Sequence, residues 1–262
     1  MIRTIIFFLL LTPKLYSVAF NPYVSEEVWN EVAPYLMPDD HPIKQKLDKI
    51  FQDKRVTESC ETLLEAGFVF TPVQGIVCKA MKHKKMKGYV FKIYPDTIET
   101  RVDWVSWTKR CRGAKLIRES IKKHGYESLF KVSNKWIYPL PAEPSPKTMS
   151  KGGRKNFILV AEDQHPTSKK YNWSKWRRVR SQEFIKKVMR VVIDTGAGDC
   201  VRANNIPWCK DGKVAFIDTE VTHRWPVSFQ PMLEVMSPKM RKKFPKLVES
   251  LGGEDLKVDK PT

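Results

Sequence analysis

The stretch GDCVRANNIPWCKDGKVAFIDTE, residues 198–220, decides how the rest of this chain is read. It places Asp199 and the pair Asn204/Asn205 in one polar loop. A short hairpin follows with Asp211-Gly212 at its turn, and then an apolar strand, residues 213–220, that ends in acids including Asp218. A buried strand that delivers one carboxylate, beside a loop that delivers a carboxylate and an amide, makes an oxygen cage suited to Mg²⁺. That ion takes few carboxylates together with phosphate oxygens and water. Such a metal bridges phosphates in phosphoryl transfer, and a nearby carboxylate orients the attacking hydroxyl.

Upstream of this stretch the pattern changes twice. Residues 20–66 read as helices, with Asp39 and Asp40 as N-cap candidates before Ile43, Leu47, Ile50 and Phe51 on one face. GFVFTP (67–72), QGIVCKAMKH (74–83) and KGYVFKIYP (87–95) are short, β-branched and aromatic, and predict an antiparallel meander. Residues 103–124 return to helix, residues 128–141 predict a strand, and NFILVAEDQHP (156–166) is a continuous apolar strand after a Pro/Ser/Gly/Lys-rich loop at 141–155. Residues 174–193 predict one helix, and residues 227–251 two helices split at Pro238.

With these elements in place, the chain resembles the protein-kinase-like superfamily. The loop is most similar to the branches that use G-D-x-x-x-x-N, the aminoglycoside phosphotransferases and phosphoinositide kinases. In that pattern the catalytic Asp precedes the metal-binding Asn by five positions, and the second metal-binding Asp follows by about thirteen. Asn205-Ile206 matches the Asn-Ile step and Asp218 lies thirteen residues on, but Asp199 is then six before Asn205. With Asn204 as ligand, the first spacing fits and the second is one too long. Asp218-Thr219-Glu220 stands where D-F-G would, which argues against a Phe-gated switch.

The resemblance implies roles residue by residue. Lys92 in GYVFKIY (88–94) corresponds to the strand lysine that grips the α/β-phosphates. The helix at 103–124 offers Glu119 as its partner, with Glu99 and Asp103 as alternatives. NFILVAEDQ (156–164) is similar to the strand and hinge that contact adenine, through backbone groups of Val160, Ala161, Glu162 and Asp163. No G-x-G-x-x-G lies between residues 67 and 88, so the phosphate-covering turn falls to TPVQG (71–75), with Gly75 as its one useful glycine. The implied fold is α+β and two-lobed. It has a helical extension (20–66), an antiparallel five-stranded N-lobe with hinge (67–166) and a reduced helical C-lobe carrying the catalytic loop (167–262). The implied cofactors are ATP and Mg²⁺, with Asp199, Lys92 and Glu119 in catalysis and Asn204, Asn205 and Asp218 on the metal. A pseudokinase that only binds is the alternative.

The chain has 262 residues, with 42% apolar and 11% aromatic side chains, which excludes disorder as a description of the whole. Lys and Arg exceed Asp and Glu by 18, and three basic clusters stand out, at 82–87, 169–190 and 239–246. They suit an acidic protein or an anionic lipid surface. No zinc finger or other nucleic-acid signature accompanies them, so specific nucleic-acid reading is not expected. Residues 1–19, MIRTIIFFLLLTPKLYSVA, have the layout of a secretory signal peptide, with a basic start, a short apolar run and Ser17-Val18-Ala19 at the cleavage point. The expected product is secreted and acts inside another cell, where ATP is available. The apolar run is too short to span a bilayer. The five cysteines are widely spaced and odd in number, as buried small hydrophobes would be. Asn172-Trp173-Ser174 matches a glycosylation acceptor, and nothing indicates an assembly beyond a monomer.

Overall fold

A computed structural model describes residues 21–72, 78–97 and 101–251. The expected signal peptide, Gly75 and Glu99 lie outside these residues. The described residues begin with three short α-helices, α1 (Glu26–Val32), α2 (Lys44–Phe51) and α3 (Cys60–Glu65). A capping box starts α3: Ser59 accepts from the N–H of Thr62, and the Thr62 hydroxyl accepts from the N–H of Ser59. Asp39 and Asp40 do not cap α2. Its N-cap is Ile43, reached through tight turns at 38–43, and no side chain accepts there.

Three strands follow, β1 (Phe68–Phe70), β2 (Lys79–His83) and β3 (Tyr89–Ile93), then the long helix α4 (Asp103–Lys123). Beyond it come β4 (Phe130–Val132), β5 (Lys135–Pro139) and β6 (Phe157–Glu162). Five of the strands form one antiparallel sheet in the order β1-β2-β3-β6-β5. The continuous apolar run of β6 has a plain cause, because both faces of the sheet are covered. Ile158 and Val160 join Phe68, Met81 and Phe91 under α2 and α3, whereas Phe157 and Leu159 pack with Trp107 and Cys111 of α4. Lys92 pairs with Leu159 across β3 and β6 and therefore projects from the α4 face.

Residues 128–141 are two strands rather than one. The chain turns at Ser133-Asn134, where Arg118 of α4 donates to the Ser133 carbonyl and the Asn134 side chain. The first piece, β4, leaves the large sheet and pairs in parallel with β7 (Val214–Phe216). Residues 174–193 are likewise divided. Helix α5 (Lys169–Arg178) ends where Val179 turns extended, and α6 (Gln182–Thr195) restarts with Ser181 accepting from the N–H of Phe184. The C-terminal helices are α7 (Gln230–Leu233) and α8 (Pro238–Glu249), and Pro238 sits in the first turn of α8 with Ser237 as cap. One large apolar core unites α5 to α8 with β4 and β7, through residues such as Trp176, Val188, Phe216 and Phe244.

Asn172 is not a glycan acceptor in this fold. It is buried, its amide donates to the Ala203 carbonyl, and its oxygen accepts from the N–H of Trp208. It fastens α5 to the loop that precedes β7. All five cysteines are free, and Cys111, Cys200 and Cys209 are buried. Among the described residues no helix is long and apolar enough to cross a membrane.

Candidate functional site

Strand β7 ends at Phe216, and the next four residues, Ile217 to Glu220, run across the face of α4. Gly113 makes that close approach possible. A Cβ at this position would lie 2.0 Å from the carbonyl oxygen of Thr219, so only a glycine lets the helix and the segment touch. Thr219 is fully buried, and its hydroxyl donates to the Arg110 carbonyl while accepting from Lys135 Nζ at 2.6 Å. The segment is thus clamped to α4 and β5 at its centre, which fixes the directions of Asp218 and Glu220 on either side.

Both acids meet cations. Lys92 Nζ lies 3.7 Å from Asp218 Oδ1. Arg110, with its side chain only 6% exposed, donates to the same Asp218 oxygen through Nη1 and to Glu220 Oε2 through Nη2. Arg101 also reaches Glu220, at 3.0 Å. Lys135 is buried like Arg110 and donates to the Ile217 carbonyl as well as to Thr219. Burial alone would raise the Asp218 pKa, but Lys92, Arg110 and Lys135 together hold it well below the usual carboxylate range. Lys92 is pushed down by burial first and by its neighbour Arg110 second.

The loop before β7 contributes the amide. Asn205 donates from Nδ2 to the Asp199 carbonyl at 2.9 Å, and its own carbonyl accepts from the N–H of Ile217. It therefore stands next to the acid-bearing segment. Asn204 is exposed and its Oδ1 accepts from Trp173 on α5, away from that segment. The half-buried Asp199 lines an open cleft of about 750 Å³, together with Ser106, Lys109, Arg112, Glu220 and Arg224. The Cys200 thiol, raised to about 12 by burial, donates to the Asp218 carbonyl.

The fold does not join Glu119 to Lys92. Glu119 is exposed on α4, nine residues beyond Arg110, which is half a turn out of phase on a helix of 3.6 residues per turn. The same helix offers Arg110 to the site instead. The expected adenine contacts are also spent within the chain. Val160 and Ala161 lie in β6 between β3 and β5, the N–H of Glu162 donates to the Asn134 carbonyl, and the N–H of Asp163 donates to the Gly88 carbonyl. The carboxylate of Asp163 is held by Lys82 at 2.5 Å. Lys92 and Asp218 are brought together from positions that the spacing of motifs picked out. Arg110 and Lys135 were not, because a lone cation within an amphipathic helix or a strand reads as surface.

The donors fit Mg²⁺ poorly as they stand. Asp218 Oδ1 is covered by a buried guanidinium and faced by an ammonium, Asn204 is engaged elsewhere, and among the described residues no group of three His, Cys, Asp or Glu side chains could hold a metal. A magnesium ion seeking near-octahedral oxygen ligands would have to displace Arg110.

Lys135 gives this cluster a pH signature. Burial, with Lys92 and Arg110 nearby, lowers it to about 7, against about 10.4 in an unfolded chain. The charged form is disfavoured in the fold, so the cost is complete below pH 7 and is relieved as the pH rises towards 10. Over that range the unfolded chain binds the extra proton, and stability climbs with pH. We expect urea melts between pH 7 and 9 to show a gain of up to about 1 kcal/mol per pH unit. Lys135→Met should flatten this gain, and an unchanged slope in that variant would refute the assignment.

No protein-family model and no curated protein matches the chain. A search of solved structures finds the protein in the complex structure of Rv3197–erythromycin from Mycobacterium tuberculosis, with 14% identity and a TM-score of 0.34 over 86% of this chain. The match spans 63% of that protein's own length, and at this level of likeness it carries no argument about fold or activity.

Proposed function

We propose that this chain is a kinase-like protein that takes up ATP against Lys92 and passes the terminal phosphoryl group to a hydroxyl acceptor. One observation carries the reading: Lys92 lies 3.7 Å from Asp218, and Asn205, beside the same segment, is tied to Asp199. The five-stranded antiparallel sheet, with a long helix inserted after its lysine-bearing third strand, supports it. Lys92 would hold the phosphates, and Asp199, in the open cleft, would orient the acceptor hydroxyl. The phosphate end bears the weight of this reading, since the Glu162 and Asp163 N–H groups are engaged within the chain. Export from residue 20 onward belongs to the same proposal.

Arg110 favours a second reading, a module that binds the nucleotide and transfers nothing. With Asp218 and Glu220 both neutralised, the site resembles a fixed receptor more than a reaction centre. The basic surface would then dock an acidic protein or an anionic lipid surface. The test is transfer of label from γ-labelled ATP to a panel of protein, lipid and small-molecule hydroxyl acceptors, with thermal shift by ATP in parallel. Transfer that Lys92→Ala abolishes supports the first reading. A thermal shift lost in Lys92→Ala, without transfer, supports the second, and no shift in a folded protein refutes both.

A further inference from the structure

We infer that Arg110 takes the place of a divalent cation, so that this site binds a polyphosphate anion such as ATP without any metal. The inference rests on the proposed uptake of a nucleotide at Lys92 and goes beyond it by assigning the source of the neutralising charge. The buried Arg110 and Lys135 and the half-buried Lys92 converge on a segment that bears two carboxylates, Asp218 and Glu220. The acids are therefore already compensated from within the chain. A doubly charged metal would find its carboxylate ligand taken by a guanidinium whose side chain is 6% exposed and held on two sides. An anion meets the opposite situation, because Lys92 faces an acid that Arg110 already compensates and is free to be stabilised by added negative charge.

The geometry is specific to Arg. Its planar fork satisfies Asp218 with one nitrogen and Glu220 with the other, a span of two acids that a point-like ammonium does not cover. With both acids neutralised by Arg110, Lys92 on β3 is the cation left to meet a phosphate oxygen. Nothing in this scheme moves an electron or breaks a bond. It is a statement about binding alone.

The test is calorimetric titration of the full chain with ATP, once in excess EDTA and once in excess Mg²⁺. Affinities that agree to within about threefold are expected, and Arg110→Gln, which leaves Asp218 to engage Lys92, should weaken binding in EDTA by about tenfold or more. Arg110→Lys, which keeps the charge, guards against a variant that merely unfolds and should retain part of the affinity in EDTA. Binding that needs Mg²⁺ would overturn the inference while leaving the proposed uptake of ATP intact. Undiminished binding by a folded Arg110→Gln would overturn it as well. A folded chain that binds ATP under neither condition would remove the proposed function itself.

Discussion

Replacing Gly113 by Ala should destabilise the protein by about 3 kcal/mol, the upper range for overpacking a tight contact. At the usual scaling for a chain of this size, that lowers the melting temperature by about 6–12 °C. The sign makes the prediction sharp. Gly113 lies inside α4, where Ala is ordinarily the better helix former by about 1 kcal/mol. Helix propensity alone therefore calls for a more stable protein. Here the new methyl would meet the Thr219 carbonyl at 2.0 Å and Thr222 Cγ2 at 3.0 Å. The first of these is backbone held by its neighbours and cannot swing aside. Relief requires the segment to lift off α4, which breaks the Thr219 hydroxyl bonds and pulls Asp218 away from Arg110. A thermal melt of Gly113→Ala at or above the wild-type temperature would show that helix and segment are not in contact.

Removing the guanidinium should be about as costly. Arg110→Met keeps a long, flexible side chain in the same space but leaves Glu220 with Arg101 and Asp218 with Lys92 as partners. Breaking a buried pair from one side costs about 3–5 kcal/mol. Asp218 is 31% exposed and retains Lys92, so a value near 3 kcal/mol is expected for this variant. The discriminating experiment is the double-mutant cycle of Arg110→Met with Asp218→Asn, read by denaturant melts. The two charges touch, so a coupling of about 1 kcal/mol or more is expected. Strictly additive losses would mean that Arg110 contributes through packing rather than charge.

Much of the architecture was legible because periodicity reports burial directly. The short β-branched and aromatic runs predicted the meander of β1 to β3, the continuous apolar run predicted β6, and Lys92 within an apolar strand and Asp218 at the end of another stood out as charges. What could not be read is tertiary. Residues 128–141 carry one uninterrupted strand pattern, yet Arg118 and Asn134 divide it by bonds to distant parts of the chain. Asn172 looks like a surface motif and is a buried clasp, since its partners lie 31 and 36 residues away. At the site, the order of motifs identified Lys92, Asp199, Asn205 and Asp218 as candidates. The expected helix partner was an acid, and the helix supplied a base. An Arg at position 110 sits amid Lys109 and Arg112, and only the fold shows that it alone of the three turns inward.

The succession of these charges along the chain has a consequence for how the molecule comes into being. Lys92, Arg110 and Lys135 all precede residue 163, by which point every strand of the large sheet has been made. Their acidic counterparts arrive only at 218 and 220, and the strand that carries them there, β7, must find β4 across a loop of some eighty residues. A nascent chain emerging amino-end first can close its sheet over three like charges that have nothing to balance them. Contacts of such long sequence separation form late and slowly. Docking of the 214–220 segment thus balances charges that lie far earlier in the chain, and it ties the two halves of the sequence together at one point.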